Sequence, residues 1–445
     1  MWSARPVEGV FRRLRWAADG VLIAILLVIP WVEIHGEPLI RLDVPGRKFH
    51  VLGLVIFPQE LYFLWLIVVG LALALFFFTA LAGRLWCGWA CPQTVLTDVY
   101  AAVGRWIQGW GAAVPPHVAL WRKVATQLVW LCFASFLGFH LVGYFVSPYR
   151  LLANAQSGAL TSTTAGFLLV STALAYLDLA FVRQTFCKYL CPYARFQSVL
   201  FDRDTLVVGY DTKRGEPRGK RGTTTGDCVD CGLCVAVCPT GIDIRNGLQL
   251  ECIACTQCID ACNGVMEHLD RPRNLIGYRS LVALERVRAA RLLRPRVMLY
   301  GVLLAGIIAV FVGAVAARKP LDLQVAHNQS LLFGSAADGR ASNAFVLHIQ
   351  NRDREDHDYR IRLDAPRGFE LVAGVNPIRV QATSALEARV FVLAERDGRE
   401  SDRAMASGEQ GLGFVLERTD DPRQRIVRNI SFLYAPGSAG AGSAR

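Results

Sequence analysis

Charge is scarce in this chain of 445 residues: Asp, Glu, Lys and Arg make up 19% of it, against 53% apolar residues. A soluble globular domain carries about 25% charged residues, so a wholly water-exposed protein is not expected. Methionine is scarcer still, with four in all, which excludes a Met-rich copper shuttle. No C-x2-C-H occurs, so no haem is attached through that motif. No Gly-rich dinucleotide fingerprint precedes a helix, and NAD(P)H is not an expected ligand. No base-reading element accompanies the net charge of +11, so nucleic acid is not an expected partner. The N-terminus "MWSARPVEGVFRRLRWAADG" sets basic residues before an apolar run, as a signal peptide does. No small-residue cleavage site follows, and the run reads as a retained first span.

Long apolar stretches are what the chain has instead. Those at approximately 17–35, 61–83, 124–146, 161–182 and 297–316 are each apolar enough to cross a bilayer, which takes about 20 residues. The second, "LYFLWLIVVGLALALFFFTALAG", has no charge, and the fourth, "TSTTAGFLLVSTALAYLDLAFV", holds only Asp178. Neither shows the polar face at 3.6-residue spacing that a soluble bundle requires. Arg5, Arg12, Arg13 and Arg15 precede the first span; Arg84, Arg105, Arg122 and Lys123 follow the second. The segment from Arg183 to Arg296 is also rich in arginine and lysine. Alternation puts all three on one side, which the positive-inside rule makes cytoplasmic. Arg41, Arg47, Lys48, Arg318 and Lys319 run against this orientation, but loop 147–160 carries only Arg150. The expected location is a bacterial inner membrane, crossed several times.

Eight cysteines fall in two matching runs, "CVDCGLCVAVCP" (228–239) and "CIACTQCIDACN" (252–263). Each reads C-x2-C-x2-C-x3-C, the spacing in which three thiolates wrap one cubane and the fourth serves a second. The expected ligands are Cys228, Cys231, Cys234 and Cys262 for one [4Fe–4S] cluster. Cys252, Cys255, Cys258 and Cys238 are expected for the other. Zinc sites separate two C-x2-C pairs by a longer loop, and a disulfide framework needs an oxidising compartment, which the expected cytoplasmic location does not supply.

A second repeat recurs about one hundred residues apart: "RLWCGWACPQT" and "QTFCKYLCPYA" both contain C-x3-C-P. Each follows an even-numbered span, as in a duplicated hairpin. Cysteines at i and i+4 share a helix face, and the proline after them allows a turn as the helix ends. Cys87, Cys91, Cys187 and Cys191 are therefore candidates for a copper or other redox site, since thiolates suit Cu(I), zinc or iron–sulfur centres. Packing as small apolar residues is the competing account. Cys132, His50 and His140 read as structural. The basic stretch 211–222 reads as a solvated loop, with docking of an acidic electron donor as its alternative.

After the fifth span, "NAFVLHIQ" (343–350), "HDYRIRLD" (357–364), "EARVFVLA" (387–394), "LGFVLERT" (412–419) and "RIVRNISFLY" (425–434) alternate as half-buried strands. They suggest a small β-sandwich on the outer side, followed by a flexible end, 437–445.

The order "TALAGRLWCGWACPQTV", "FCKYLCPYARFQSVLFDRDTLVVGYDTKRGEPRG", "GDCVDCGLCVAVCPTGIDIRNGLQLECIACTQCIDAC" resembles the FixG/RdxA/CcoG-type cytochrome c oxidase accessory proteins. These are polyferredoxin-like membrane iron–sulfur proteins. The resemblance covers nearly the whole chain. It implies a membrane α-helical protein with five transmembrane helices, a cytoplasmic bacterial-type 2[4Fe–4S] ferredoxin insert and a C-terminal immunoglobulin-like β-sandwich in the periplasm. It also implies a role in assembling cbb3-type cytochrome c oxidase, as a cupric reductase that converts Cu(II) to Cu(I) before insertion. The implied partners are the membrane, oxidase-assembly and copper-transport proteins, and an unidentified cytoplasmic electron donor. A homodimer stays open.

The expected division is a cytoplasmic N-terminus (1–16), a membrane domain of two hairpins (17–200), a ferredoxin-like domain (201–296), the fifth span (297–316), a periplasmic domain (317–436) and the tail. Two rival functions stand beside copper reduction: a quinol-linked electron-transfer subunit of a periplasmic reductase, and a non-catalytic assembly scaffold.

Overall fold

The computed structural model describes residues 4–434 apart from 35, 110–116, 220–225, 286–287, 332–333, 337–338 and 395–408. The C-terminal stretch 437–445, expected to be flexible, and part of the basic loop 211–222 lie outside the described residues. Contacts divide the chain into two units, Met1–Gly313 and Ala314–Arg445.

Five helices are long and apolar enough to cross a membrane: Val10–Trp31, Pro58–Ala82, Leu120–Gly143, Ser162–Val182 and Pro295–Ala316, numbered here as spans 1 to 5. Their outward residues are large and apolar, with Leu71, Leu169 and Val302 about two-thirds exposed or more. Water would penalise each such surface at about 25 cal/mol per Å²; lipid does not. The chain is a membrane protein.

Spans 1 and 3 begin earlier than the sequence expectation. Span 1 begins at Val10 rather than near 17, and span 3 at Leu120 rather than near 124. Both extensions carry arginines, which are good helix formers. In span 1 the charge is answered locally, because Arg12 and Arg15 both pair with Asp98.

Small residues set the closest helix approaches, as is usual in membranes. A Cβ on Gly138 of span 3 would lie 2.7 Å from Thr172 Oγ1 of span 4. Spans 2 and 5 meet at Gly301 against Phe77 and through an edge-on pair, Phe63 and Phe311. Helix Pro92–Gln108 is tied to span 3 by reciprocal bonds: Tyr100 Oη donates to Trp130 O, and Trp130 Nε1 donates to Tyr100 O, each at 3.0 Å. Between spans 1 and 2, strands Ile40–Asp43, Lys48–Val51 and Leu54–Ile56 form a small antiparallel sheet. Arg41, Arg47 and Lys48 belong to this sheet and its turn.

The cysteine-rich segment is closed at its neck by strand Val207–Tyr210 paired antiparallel with Ile276–Arg279. Val208, Tyr210, Ile259, Met266, Leu275 and Ile276 form its core. The N-terminal residues join it. Arg5 N donates to Ala236 O, and Phe11 packs on Tyr278 with ring centroids 6.2 Å apart. Asp260, from helix Gln257–His268, accepts from Phe11 N at 3.2 Å and Arg12 N at 2.7 Å. It therefore supplies the carboxylate cap that the first turn of span 1 lacks from its own Gly9.

The second unit is a two-sheet sandwich. One sheet has the order Phe369–Ala373, Ser384–Ala394, Ala341–Asn351, Leu321–His327; the other has Ile378–Val380, His357–Asp364, Glu409–Arg418, Arg425–Leu433. All pairings are antiparallel. Strand His357–Asp364 buries His357, Tyr359 and Ile361 and exposes the residues between them, the period of two that a half-covered sheet imposes. Phe345 and Phe414 meet across the core at 5.2 Å. All five stretches expected as strands are strands.

Candidate redox site

The two cysteine runs fold alike. In the first, Asp230 (φ 51) and Gly232 (φ 67) flank the middle cysteine, Cys231; in the second, Ala254 (φ 52) and Thr256 (φ 65) flank Cys255. Left-handed backbone at corresponding positions curls each loop into a concave nest. Thr256 holds this conformation although it is β-branched, for which such φ values are true outliers. Strain of this kind gathers at functional sites.

The nests open on two cavities. One is lined by Cys228, Cys231, Cys234 and Cys262, with Arg245 at its edge. The other is lined by Cys238, Cys252, Cys255 and Cys258, and Cys234 reaches it as well. The fourth cysteine of each run thus lies with the other run's first three, the crossing that the spacing led us to expect. Charge interactions sort the same way. Cys262 feels Cys234, Cys228 and Cys231, whereas Cys258 feels Cys255, Cys252 and Cys238 before Cys234. Burial pushes the Cys255 and Cys262 thiols up to about 12 and Cys234 to about 11. Thiols grouped around an apolar hollow suit an iron centre, which takes thiolates and releases their protons. Among the described residues, no three His, Cys, Asp or Glu side chains form a group that could hold a single metal ion. The thiols ring hollows rather than points. Ala254 N lies 3.4 Å from Cys252 Sγ and donates to it, the amide-to-sulfur contact that tunes cluster potentials.

Cys87, Cys91, Cys187 and Cys191 lie within one another's electrostatic reach, although no three of them are grouped closely enough to hold one metal ion. Burial raises Cys87 to about 12, and the neighbouring Cys91, Cys187 and Cys191 add to the shift while Arg84 opposes it. Cys187 is likewise raised to about 12 by burial, then by Cys91 and Cys191. The route to convergence differs from the expectation. Each motif spans a break between helices and does not lie on one helix face. Cys87 sits in Leu85–Trp89 and Cys187 in Phe186–Leu190, while Cys91 and Cys191 are the residues just before helices Pro92–Gln108 and Pro192–Leu200. The proline starts the next helix, where its missing N–H costs nothing. Cys132 is exposed on span 3. His140 shares Nδ1 with Phe136 O at 2.9 Å, and His50 pairs with Glu37; both are structural, as read.

The residues that join the two cysteine groups carry no motif of their own. Arg84, only 5% exposed, donates to Leu250 O and Cys252 O on one side and to Ala194 O on the other. Gly88 packs so closely on the second run that a Cβ would lie 2.3 Å from Ala254 O. Trp89 Nε1 donates to Tyr278 Oη, and Tyr278 Oη donates to Ala254 O. Lys188 donates to Thr240 O, and Thr240 Oγ1 lies 3.3 Å from Cys238 Sγ. Arg15, fully buried, donates to Cys255 O at 3.0 Å and pairs with Asp98. In the sequence, Arg84 and Arg15 mark only the topology. Their sequence signal is proximity to a span end and to a motif, which does not distinguish a buried bridge from a surface charge.

Comparison with known proteins agrees with this architecture. A family model described as a 4Fe-4S dicluster domain matches residues 182–281, and one described as a 4Fe-4S binding domain matches 62–111. The model for the IG-like fold at the C-terminus of FixG matches 311–435. Protein RdxA of Cereibacter sphaeroides is 37% identical over 416 residues, covering 88% of each chain. Protein RdxB of the same organism is 34% identical, again over 88% of each. The nitrogen fixation protein FixG of Rhizobium meliloti is 32% identical, over 98% of this chain and 93% of its own.

Proposed function

Because the chain belongs to the FixG/RdxA family of membrane iron–sulfur electron-transfer proteins, we propose that it reduces Cu(II) to Cu(I) at the C-x3-C-P thiols for cbb3-type oxidase assembly. On this reading Cys228, Cys231, Cys234 and Cys262 hold one [4Fe–4S] cluster, and Cys238, Cys252, Cys255 and Cys258 hold the other. Such clusters supply single electrons at low potential. The cysteine-rich segment faces the cytoplasm and receives electrons from a soluble donor there; the sandwich faces the periplasm.

One observation carries the copper assignment: four thiols from two separate hairpins lie in one another's field next to the cysteine nests. Cu(II) prefers nitrogen and oxygen donors, and Cu(I) prefers thiolate. A pair of these thiolates, no three being grouped for one metal ion, therefore binds the product state better than the substrate state and draws the reduction forward. Release then requires a partner with equally soft donors, such as a copper-transport protein.

The test is anaerobic mixing of reduced, purified protein with Cu(II), following cluster absorbance and trapping the product with a Cu(I)-specific chelator. One Cu(I) per electron lost is the expected stoichiometry. Reoxidation by a quinone but not by Cu(II) overturns the reading in favour of a quinol-linked subunit. No reoxidation by either leaves a scaffold.

A further inference from the structure

Among the described residues, the contacts of the two C-x3-C-P motifs fall on one of the cysteine-lined cavities. Gly88 and Lys188 occupy the same place in the repeat, directly after Cys87 and Cys187. Gly88 abuts Ala254, between Cys252 and Cys255. Lys188 is bonded to Thr240, two residues from Cys238. Trp89 reaches the Ala254 carbonyl through Tyr278, and Arg84 holds the Leu250 and Cys252 carbonyls together with Ala194, three residues past Cys191. Cys238, Cys252 and Cys255 all line the same cavity. The other cavity has a different neighbourhood: Cys231 there is exposed.

We infer that the cavity lined by Cys238, Cys252, Cys255 and Cys258 is the exit side of the relay, and that Arg84 is the positioning residue that clamps it to the C-x3-C-P thiols. The cavity with exposed Cys231 is the entry side, where a one-electron carrier of low potential docks. This ordering rests on the proposed copper reduction for its final acceptor. The step is balanced: one electron leaves the reduced exit centre, one thiolate-bound Cu(II) becomes Cu(I), and no covalent bond to sulfur or carbon changes.

Arg84 does more than fasten. Its guanidinium lies in the field of both Cys252 and Cys87. Arg245 at the entry cavity is paired with Asp230 and Asp243, so the Arg84 charge favours the reduced, more negative state of the exit centre over that of the entry centre. The geometry therefore puts the electron where the thiols can take it. Gly88 is the complementary device: a side chain at that position pushes the thiol motif off Ala254 without removing any charge.

The test uses the full-length protein with iron counted in each variant and an EPR-monitored redox titration. In Arg84→Gln, eight irons are retained and one of the two midpoint potentials falls by about 59 mV, a tenfold shift in a one-electron equilibrium. That potential belongs to the centre whose signal Cys255→Ser removes; the other is unmoved. Arg84→Lys, which keeps the charge but not the forked donors, restores the potential while reoxidation by Cu(II) stays slow. A shift in the other centre, or in neither with iron intact, overturns the ordering. Should Arg84→Gln lose iron, Gly88→Val decides: both potentials hold, Cu(II) reoxidation slows at least tenfold, and reoxidation by ferricyanide at the exposed entry side is unchanged. Equal Cu(II) rates in Gly88→Val and wild type overturn it. Failure of wild type itself to reduce Cu(II) sinks the proposed function, while the potential shift still decides the ordering.

Discussion

Replacing Asp260 by alanine tests how the cysteine-rich segment is seated on the membrane helices. Asp260 is 6% exposed and accepts from two amides in the first turn of span 1, Phe11 N at 3.2 Å and Arg12 N at 2.7 Å. A lost side-chain cap costs about 1 kcal/mol, up to about 2. Loss of a carboxylate from the positive end of the helix dipole adds about 0.3–1 kcal/mol. Together these give about 2 kcal/mol, or roughly a 30-fold rise in opening at this contact, since about 1.4 kcal/mol is tenfold. Asp260→Asn keeps an acceptor and loses the charge, so it falls between. Hydrogen exchange followed by mass spectrometry on a peptide covering Phe11 and Arg12 reads the change directly. Iron content is measured alongside, because Asp260 lies between Cys258 and Cys262. Unchanged exchange at these amides in Asp260→Ala, with iron retained, would refute the account of Asp260 as the cap.

Cys258 lines one cavity with Cys238, Cys252 and Cys255, so Cys258→Ser is expected to halve the iron content and leave one EPR-active centre; full iron content contradicts the ligand assignment. The Cys87 and Cys187 thiols, held up at about 12, are protonated at neutral pH, so copper must displace protons. Cu(I) affinity in chelator competition should rise about tenfold per pH unit for each proton released between pH 6 and 8, and a flat profile argues against thiolate ligation. Phe414 is fully buried, 5.2 Å from Phe345; Phe414→Ala should cost about 3–5 kcal/mol and lower one calorimetric transition of the full chain, leaving cluster absorbance unchanged. A variant that melts with the wild type would refute its place in the sandwich core.

The parts of this molecule legible in its sequence are those encoded by period or spacing. Uninterrupted apolar runs gave the five spans, because lipid rewards a helix that is apolar all round. Alternation marks the five longest strands from 341 onward, but not the short Phe369–Ala373 and Ile378–Val380. The C-x2-C-x2-C-x3-C spacing gave the crossed quartets, because a nest of fixed size admits few arrangements. What escaped was long-range and polar. Arg15 and Arg84 look like any arginine flanking a span, yet each is buried and bonded to a carbonyl of a cysteine-bearing loop, Cys255 and Cys252 respectively. Asp260 caps a helix 248 residues away in sequence. The spacing of the C-x3-C-P motif predicts one helix with a terminal proline, whereas the proline opens the next helix. Local spacing alone fits both, and only the packing of the motif against Ala254 and Thr240 selects the second.

The most direct test of the central claim is anaerobic iron and acid-labile sulfide analysis of the full-length protein, with EPR of its reduced form. The account expects about eight irons and eight sulfides per chain, with two centres close enough to broaden one another's signals. About four irons, or a spectrum from a single isolated centre, would contradict it.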